Sequence, residues 1–195
     1  MALFGRREGE PSRAGGDTQP SAARVPSKIV AAMLATYRRR STAGEQPRVL
    51  LAGPMSQQTL DTVIGVGCRL TVGGEFLVET PLEYPDAAFD LVLGADLLDL
   101  MGDPAARALA AEWARVLRSG GRLYLIARRE EKQVPPFVRT DIYPDGAVVL
   151  QPLPTHHASV HPRQNREFQE IVRPLKVDEI FLRRDGLREI VCRKA

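Results

Sequence analysis

Three sets of residues have the types and spacing to do chemistry. In RVLLAGPMSQQTL, residues 48–60, a hydrophobic run ends at Gly53 and passes into a helix-forming stretch. A strand that turns on a glycine into a helix brings bare backbone and a helix N-terminus to one point, which is how α/β folds hold anionic and polar cofactor groups. The second set is Asp96 and Asp99 in FDLVLGADLLDLM, two carboxylates just past an apolar run, where ligands of open α/β sheets bind. The third is THHASVHP, which holds all three histidines of the chain. His157 and His161 are spaced to share one face of a helix, as zinc sites use, and a histidine near a reacting group could remove a proton at neutral pH. However, Pro154 and Pro162 bracket the stretch, and no cysteine or acid at ligand spacing joins His156, His157 and His161. A surface loop is expected there, and no metal site. A P-loop and a serine nucleophile elbow are both absent from the sequence.

The elements that must position these groups follow from hydrophobic period and capping. Residues 1–25 are rich in Gly, Pro, Ser and Arg and lack a period, so they read as a disordered basic tail ahead of a domain spanning 26–195. Ser27 caps a helix with Ile29, Val30, Met33, Leu34 and Tyr37 on one face, closed by Arg38, Arg39 and Arg40. A strand over 48–53 leads to a helix over 56–66, with Leu60, Val63 and Ile64 expected inward and Gly67 ending it. Residues 68–72 form the next strand. The run 89–94 is apolar throughout, as a strand buried in a parallel sheet must be. Asp103 and Pro104 open a helix with Leu109, Trp113, Val116 and Leu117 on its core face, which stops at SGG before a strand over 122–128. Asp145 with Gly146, and Asp185 with Gly186, mark hairpin turns. The fold class expected is α/β, a doubly wound and mostly parallel sheet that ends in an antiparallel hairpin.

Composition narrows the function classes. Of 195 residues 44% are hydrophobic and 26% charged, the balance of an ordinary globular protein. No apolar run is long enough for a membrane span, no secretory h-region follows Arg6 and Arg7, and Cys68 and Cys192 have no disulfide spacing, so a cytoplasmic protein with free thiols is expected. The 27 basic residues are 23 Arg and 4 Lys beside abundant Ala, a skew that reads as a GC-rich bacterial genome. No nucleic-acid recognition motif accompanies them, so nucleic acid is not an expected partner.

Two stretches carry a family resemblance. YPDAAFDLVLGADLLDLM and ARVLRSGGRLYLIAR resemble the centre of class I S-adenosylmethionine-dependent methyltransferases of the UbiE-like, type 11 branch: an acidic turn, FDxV on the fourth strand, a Leu-rich segment, a helix, then R-x-L-(K/R)-P-G-G before the fifth strand. The resemblance runs from about residue 48 to 128, and the closing hairpin is similar to that family's last two strands. It implies a Rossmann-like fold and a cofactor held by an acid and a G-x-G-x-G loop after the first strand, and by a carboxylate at the tip of the second.

Measured against that pattern, this chain departs in three places. The acid position is Leu51, and Gly53 alone of the glycines remains, with Met55 and Gln57 at the other two. At the second strand's tip the chain reads Gly73, Gly74, with Glu75 the nearest acid. Between Val72 and Phe89 lie sixteen residues, read as a tight hairpin around Gly73 and Gly74 and too short for the helix and third strand of a full crossover. The remaining cofactor-binding candidates are Gly53, Pro54, Glu75 and Asp96, as vestigial or weak contacts. The resemblance together with these losses implies a degenerate S-adenosylmethionine site on a non-catalytic, protein-binding or regulatory scaffold. The alternative is a divergent active methyltransferase for a small or lipid-like acceptor.

Overall fold

The computed structural model describes residues 23–73, 81–130, 138–152 and 160–195. Residues 1–22 of the tail expected over 1–25, the second arm of the hairpin after Gly73, Glu75, His156 and His157 lie outside the described residues. Strand β1 (Val25–Pro26) leads to helix α1 (Lys28–Thr42), then β2 (Arg48–Leu51), α2 (Gln57–Gly65), β3 (Arg69–Val72) and β4 (Phe89–Leu93). After a 3-10 turn at Leu97–Leu100 come α3 (Asp103–Val116), β5 (Leu117–Ala127), the hairpin β6 (Val138–Ile142) and β7 (Ala147–Pro152), α4 (Asn165–Ile171), and the closing hairpin β8 (Lys176–Leu182) and β9 (Arg188–Arg193).

Among the described residues the main sheet has the order β3-β2-β4-β5-β9-β8. Its first four strands are parallel, and β9 runs antiparallel to both β5 and β8. The sheet is covered on both faces, which is why β4 is buried along its whole length. One face packs Leu50, Phe89, Val92 and Leu125 under α3 and α4, with Trp113 at its centre. The other packs Val49, Leu51, Leu91 and Tyr124 under α1, with Ile142 and Val148 of the second sheet. That second, antiparallel sheet has the order β1-β7-β6.

Ser27 caps α1 as its sequence predicts, accepting a hydrogen bond from the Val30 amide. Val25 belongs to the folded unit rather than to the tail: it is buried and pairs with Val148. Both Asp-Gly pairs sit in hairpin turns, with Gly146 and Gly186 at φ +82° and +83°. Gly146 is also required by packing, since a Cβ there would stand 2.7 Å from the Ala31 backbone. Three expectations need correction. Ile64 points to solvent at 56% exposure, and Val63, inward as expected, is joined by Thr59 and Thr62. Gly102, not Asp103, caps α3. No loop separates α3 from β5, because the strand begins at Leu117 and takes in the SGG segment through a shift of register against β4.

Both cysteines are free and buried, which pushes their thiols up to about 11 for Cys68 and about 12 for Cys192. No helix of the described residues is long and apolar enough to cross a membrane.

Candidate functional site

The chain leaves β2 toward β3 on one side and returns to β4 on the other, so the sheet reverses its winding between β2 and β4. The crevice beyond the carboxyl ends of these two strands is where open α/β sheets bind ligands. Here it is bounded by Ala52, Gly53 and Pro54 after β2 and by Gly94, Ala95 and Asp96 after β4.

The loop after β2 is buried and bonded within the chain. Ala52, Gly53 and Pro54 are all buried. Gly53 has φ +99°, the left-handed region where a side chain is strained. A Cβ at that position would lie 3.3 Å from Leu97 Cγ and 3.5 Å from Ala95 Cβ, so the space over the glycine is occupied by Leu97. The Pro54 carbonyl accepts from the Thr140 amide at 3.1 Å, and Met55 forms a parallel bridge with Thr140. Strand β6 therefore runs over the loop. Two threonines of α2 hold it there. Thr59 Oγ1 donates to the Thr140 carbonyl and accepts from the Ile142 amide, each at 2.8 Å, while Thr62 Oγ1 donates to the Ile142 carbonyl. At the start of the same helix, Ser56 accepts from the Thr59 amide.

At the end of β4 the backbone is forced. Ala95 has φ +46°, a conformation that a non-glycine residue adopts only under constraint. The constraint is visible: the Ala95 carbonyl accepts from Ile126 of β5, and Ala95 is buried. This turn carries Asp96 and Asp99 inward, where they are 2% and 1% exposed. Asp96 is ion-paired to Arg128 at 2.7 Å. Asp99 lies 3.7 Å from the same guanidinium and accepts from the Arg128 amide. Burial pushes the Asp99 carboxyl up to about 7. The Asp96 charge adds to that rise, while the Arg128 amide, the Arg128 guanidinium and Arg163 oppose it.

Two further buried arginines close the cluster. Arg163 donates to the Leu98 and Met101 carbonyls at 2.6 Å and pairs with Asp103 at 3.0 Å. Arg188 donates to the carbonyls of Arg128 and Arg163 at 2.6 Å. The amide of His161, an exposed residue, donates to the Asp99 carbonyl. Among the described residues no group of His, Cys, Asp or Glu could hold a metal ion.

The structure thus brings Gly53, Pro54 and Asp96 of the sequence-predicted candidates to the crevice. Asp96 and Asp99 are both buried there and paired with Arg128. Arg128, Arg163, Arg188 and Thr140 are the site residues that sequence reasoning passed over. Arg128 reads in the sequence as the polar end of a strand, and nothing local marks it as a partner for an aspartate 32 residues earlier.

Comparison with known proteins agrees with this architecture. A family model described as a methyltransferase domain matches residues 70–125. No curated protein matches the chain in sequence. Among solved structures, 1,6-didemethyltoxoflavin-N1-methyltransferase of Burkholderia thailandensis, determined with 1,6-didemethyltoxoflavin and S-adenosylhomocysteine, aligns over 86% of this chain and 80% of its own, at 17% identity and a TM-score of 0.50. A chain from the complex between the Haloferax volcanii Trm112 methyltransferase activator and a methyltransferase aligns over 83% of this chain and 94% of its own, at 16% identity and a TM-score of 0.53. A protein of Listeria monocytogenes described as an S-adenosylmethionine-dependent methyltransferase aligns over 84% and 99%, at 11% identity and a TM-score of 0.50. Likeness at such identities speaks to fold alone. The fold is that of class I methyltransferases.

Proposed function

We propose that this protein is a methyltransferase-fold scaffold whose cofactor cradle is filled by its own chain, and that it works through its surface as a protein-binding or regulatory module, with the segment ahead of β1 as a tether. The observation that carries this reading is the occupied loop after β2. Leu97 sits against Gly53, the Pro54 carbonyl is taken by Thr140, and Met55 is bridged to β6. A cofactor that needs open backbone there would have to displace a strand held by two buried threonines. Asp96, the carboxylate just past β4, is already paired with Arg128. On this reading the described residues of the loop do not fit S-adenosylmethionine. A methyltransferase fold that works beside a protein partner has a precedent in the Haloferax complex.

A second reading rests on the Burkholderia enzyme, which shares the fold and was solved with S-adenosylhomocysteine. In it the chain is a divergent methyltransferase for a small or lipid-like acceptor, and β6 lifts from the loop when the cofactor enters. Since methyl transfer needs positioning more than a nucleophilic side chain, such an enzyme would need few polar groups of its own.

Amide hydrogen exchange separates the two. The scaffold reading expects the Thr140 and Ile142 amides to be protected without ligand and unchanged by millimolar S-adenosylhomocysteine. Fast exchange at these amides, slowing or shifting on addition of the ligand, contradicts it.

A further inference from the structure

The edge of the main sheet opposite the crevice gathers positive charge that composition alone does not reveal. Strand register places Arg48 of β2 beside Arg69 of β3. On the far side it places Arg122 of β5 beside Arg193 of β9, and Arg193 beside Lys176 of β8. Every strand of the sheet except β4 thus has a basic residue at this edge. Strand β4 supplies Asp90, which is buried and already shared by Arg40 at 2.7 Å, Arg118 at 2.6 Å and the Arg48 amide. Like charges side by side on neighbouring strands destabilise a sheet. Among the described residues, Arg193 alone of the five has a carboxylate partner, Asp178 at 2.9 Å. Arg38 and Arg39 add to the same edge: they are exposed in the last turns of α1, between Tyr37 and Arg40, which both bond to Asp90.

We propose that this edge binds the phosphate backbone of a nucleic-acid duplex. At about 4.8 Å between strands the six strands span about 24 Å, close to seven base-pair steps of about 3.4 Å. The charges are mainly arginine, whose planar fork matches phosphate oxygens in pairs. Single strands are bound by stacking bases on aromatic side chains, and among the described residues this edge exposes none; the exposed Phe181, in a groove with Arg122 and Arg193, lies toward the other end of β8. A membrane surface calls for apolar side chains beside the charges, and the only large one exposed at this end among the described residues is Ile64. The repulsion along the edge then has a use, because a bound polyanion relieves it. This inference goes beyond the scaffold reading and fails separately from it, since a cofactor-binding protein could carry the same edge.

The test is fluorescence anisotropy of the full chain with a labelled duplex of roughly 20 base pairs, between about 50 and 200 mM salt. Binding is expected to weaken as salt rises. The double variant Arg48→Glu, Arg69→Glu is expected to lose affinity at least about tenfold and to lower the salt slope by about two. Arg166→Glu with Arg184→Glu removes two exposed arginines at the opposite end and is expected to stay within about twofold of the parent. If the glutamate pair fails to fold, Arg48→Gln with Arg69→Gln serves in its place, with a smaller loss expected. Equal losses from both ends, no duplex binding at low salt, or binding to phosphatidylserine vesicles but not to the duplex would overturn the proposal.

Discussion

Replacing Arg128 with methionine is expected to lower the free energy of unfolding by about 3–5 kcal/mol. The side chain is 2% exposed and faces Asp96 at 2.7 Å and Asp99 at 3.7 Å, both deeply buried. Methionine fills much of the same volume but withdraws the cation from two carboxylates that cannot reach water. A buried pair adds little when compared with apolar packing, yet breaking one by removing a single partner is costly. Chemical denaturation at neutral pH measures the loss.

The same cluster sets a pH dependence. The Asp99 carboxyl, near 3.8 when unfolded, is raised to about 7 in the fold, chiefly by burial. Between those values the folded chain holds a proton that the unfolded chain has released. Stability is therefore expected to fall as pH rises from about 4 to about 7, and this contribution is flat above that. Asp99→Asn should flatten the slope and raise stability at pH 8 relative to the parent. The same slope in the parent and in Asp99→Asn would show that Asp99 is ionised in the fold.

Replacing Thr59 with valine is expected to cost roughly 2–4 kcal/mol. The two side chains have nearly the same shape, so packing changes little. What goes is a hydroxyl that serves both neighbours, and the Thr140 carbonyl and Ile142 amide both lose a buried partner. Thr62→Val removes the buried bond to the Ile142 carbonyl and a longer, half-buried one from the Gln58 side-chain amide. One buried backbone group instead of two then loses its partner, and the substitution is expected to cost about half as much. Equal effects from the two substitutions in urea unfolding would refute the account of Thr59 as the double link between α2 and β6. Hydrogen exchange should also show β6 loosened over the β2 loop in the Thr59 variant.

These residues mark where sequence reading stops. The helix at Lys28–Thr42, the buried run at Phe89–Leu93 and the two Asp-Gly hairpins were legible because each signal is local: a cap, a period, a turn dipeptide. Thr59 faces inward and Ile64 outward because a buried threonine is stabilised by partners some 80 residues away, which hydrophobic period cannot register. The departures of the β2 loop from the glycine pattern were readable at Met55 and Gln57. That Leu97 packs against Gly53 and β6 bonds to the loop was not, since it depends on how the second sheet docks. The arginine edge has the same origin. The basic residues are spread along the sequence, and only strand order and register bring them side by side.

The central claim, that the chain fills its own cofactor cradle, is tested most directly by calorimetric titration of the folded protein with S-adenosylmethionine and, separately, S-adenosylhomocysteine. The account predicts no binding heat up to millimolar ligand. A dissociation constant in the micromolar range, about −8 kcal/mol, would contradict it and return the protein to the active methyltransferases.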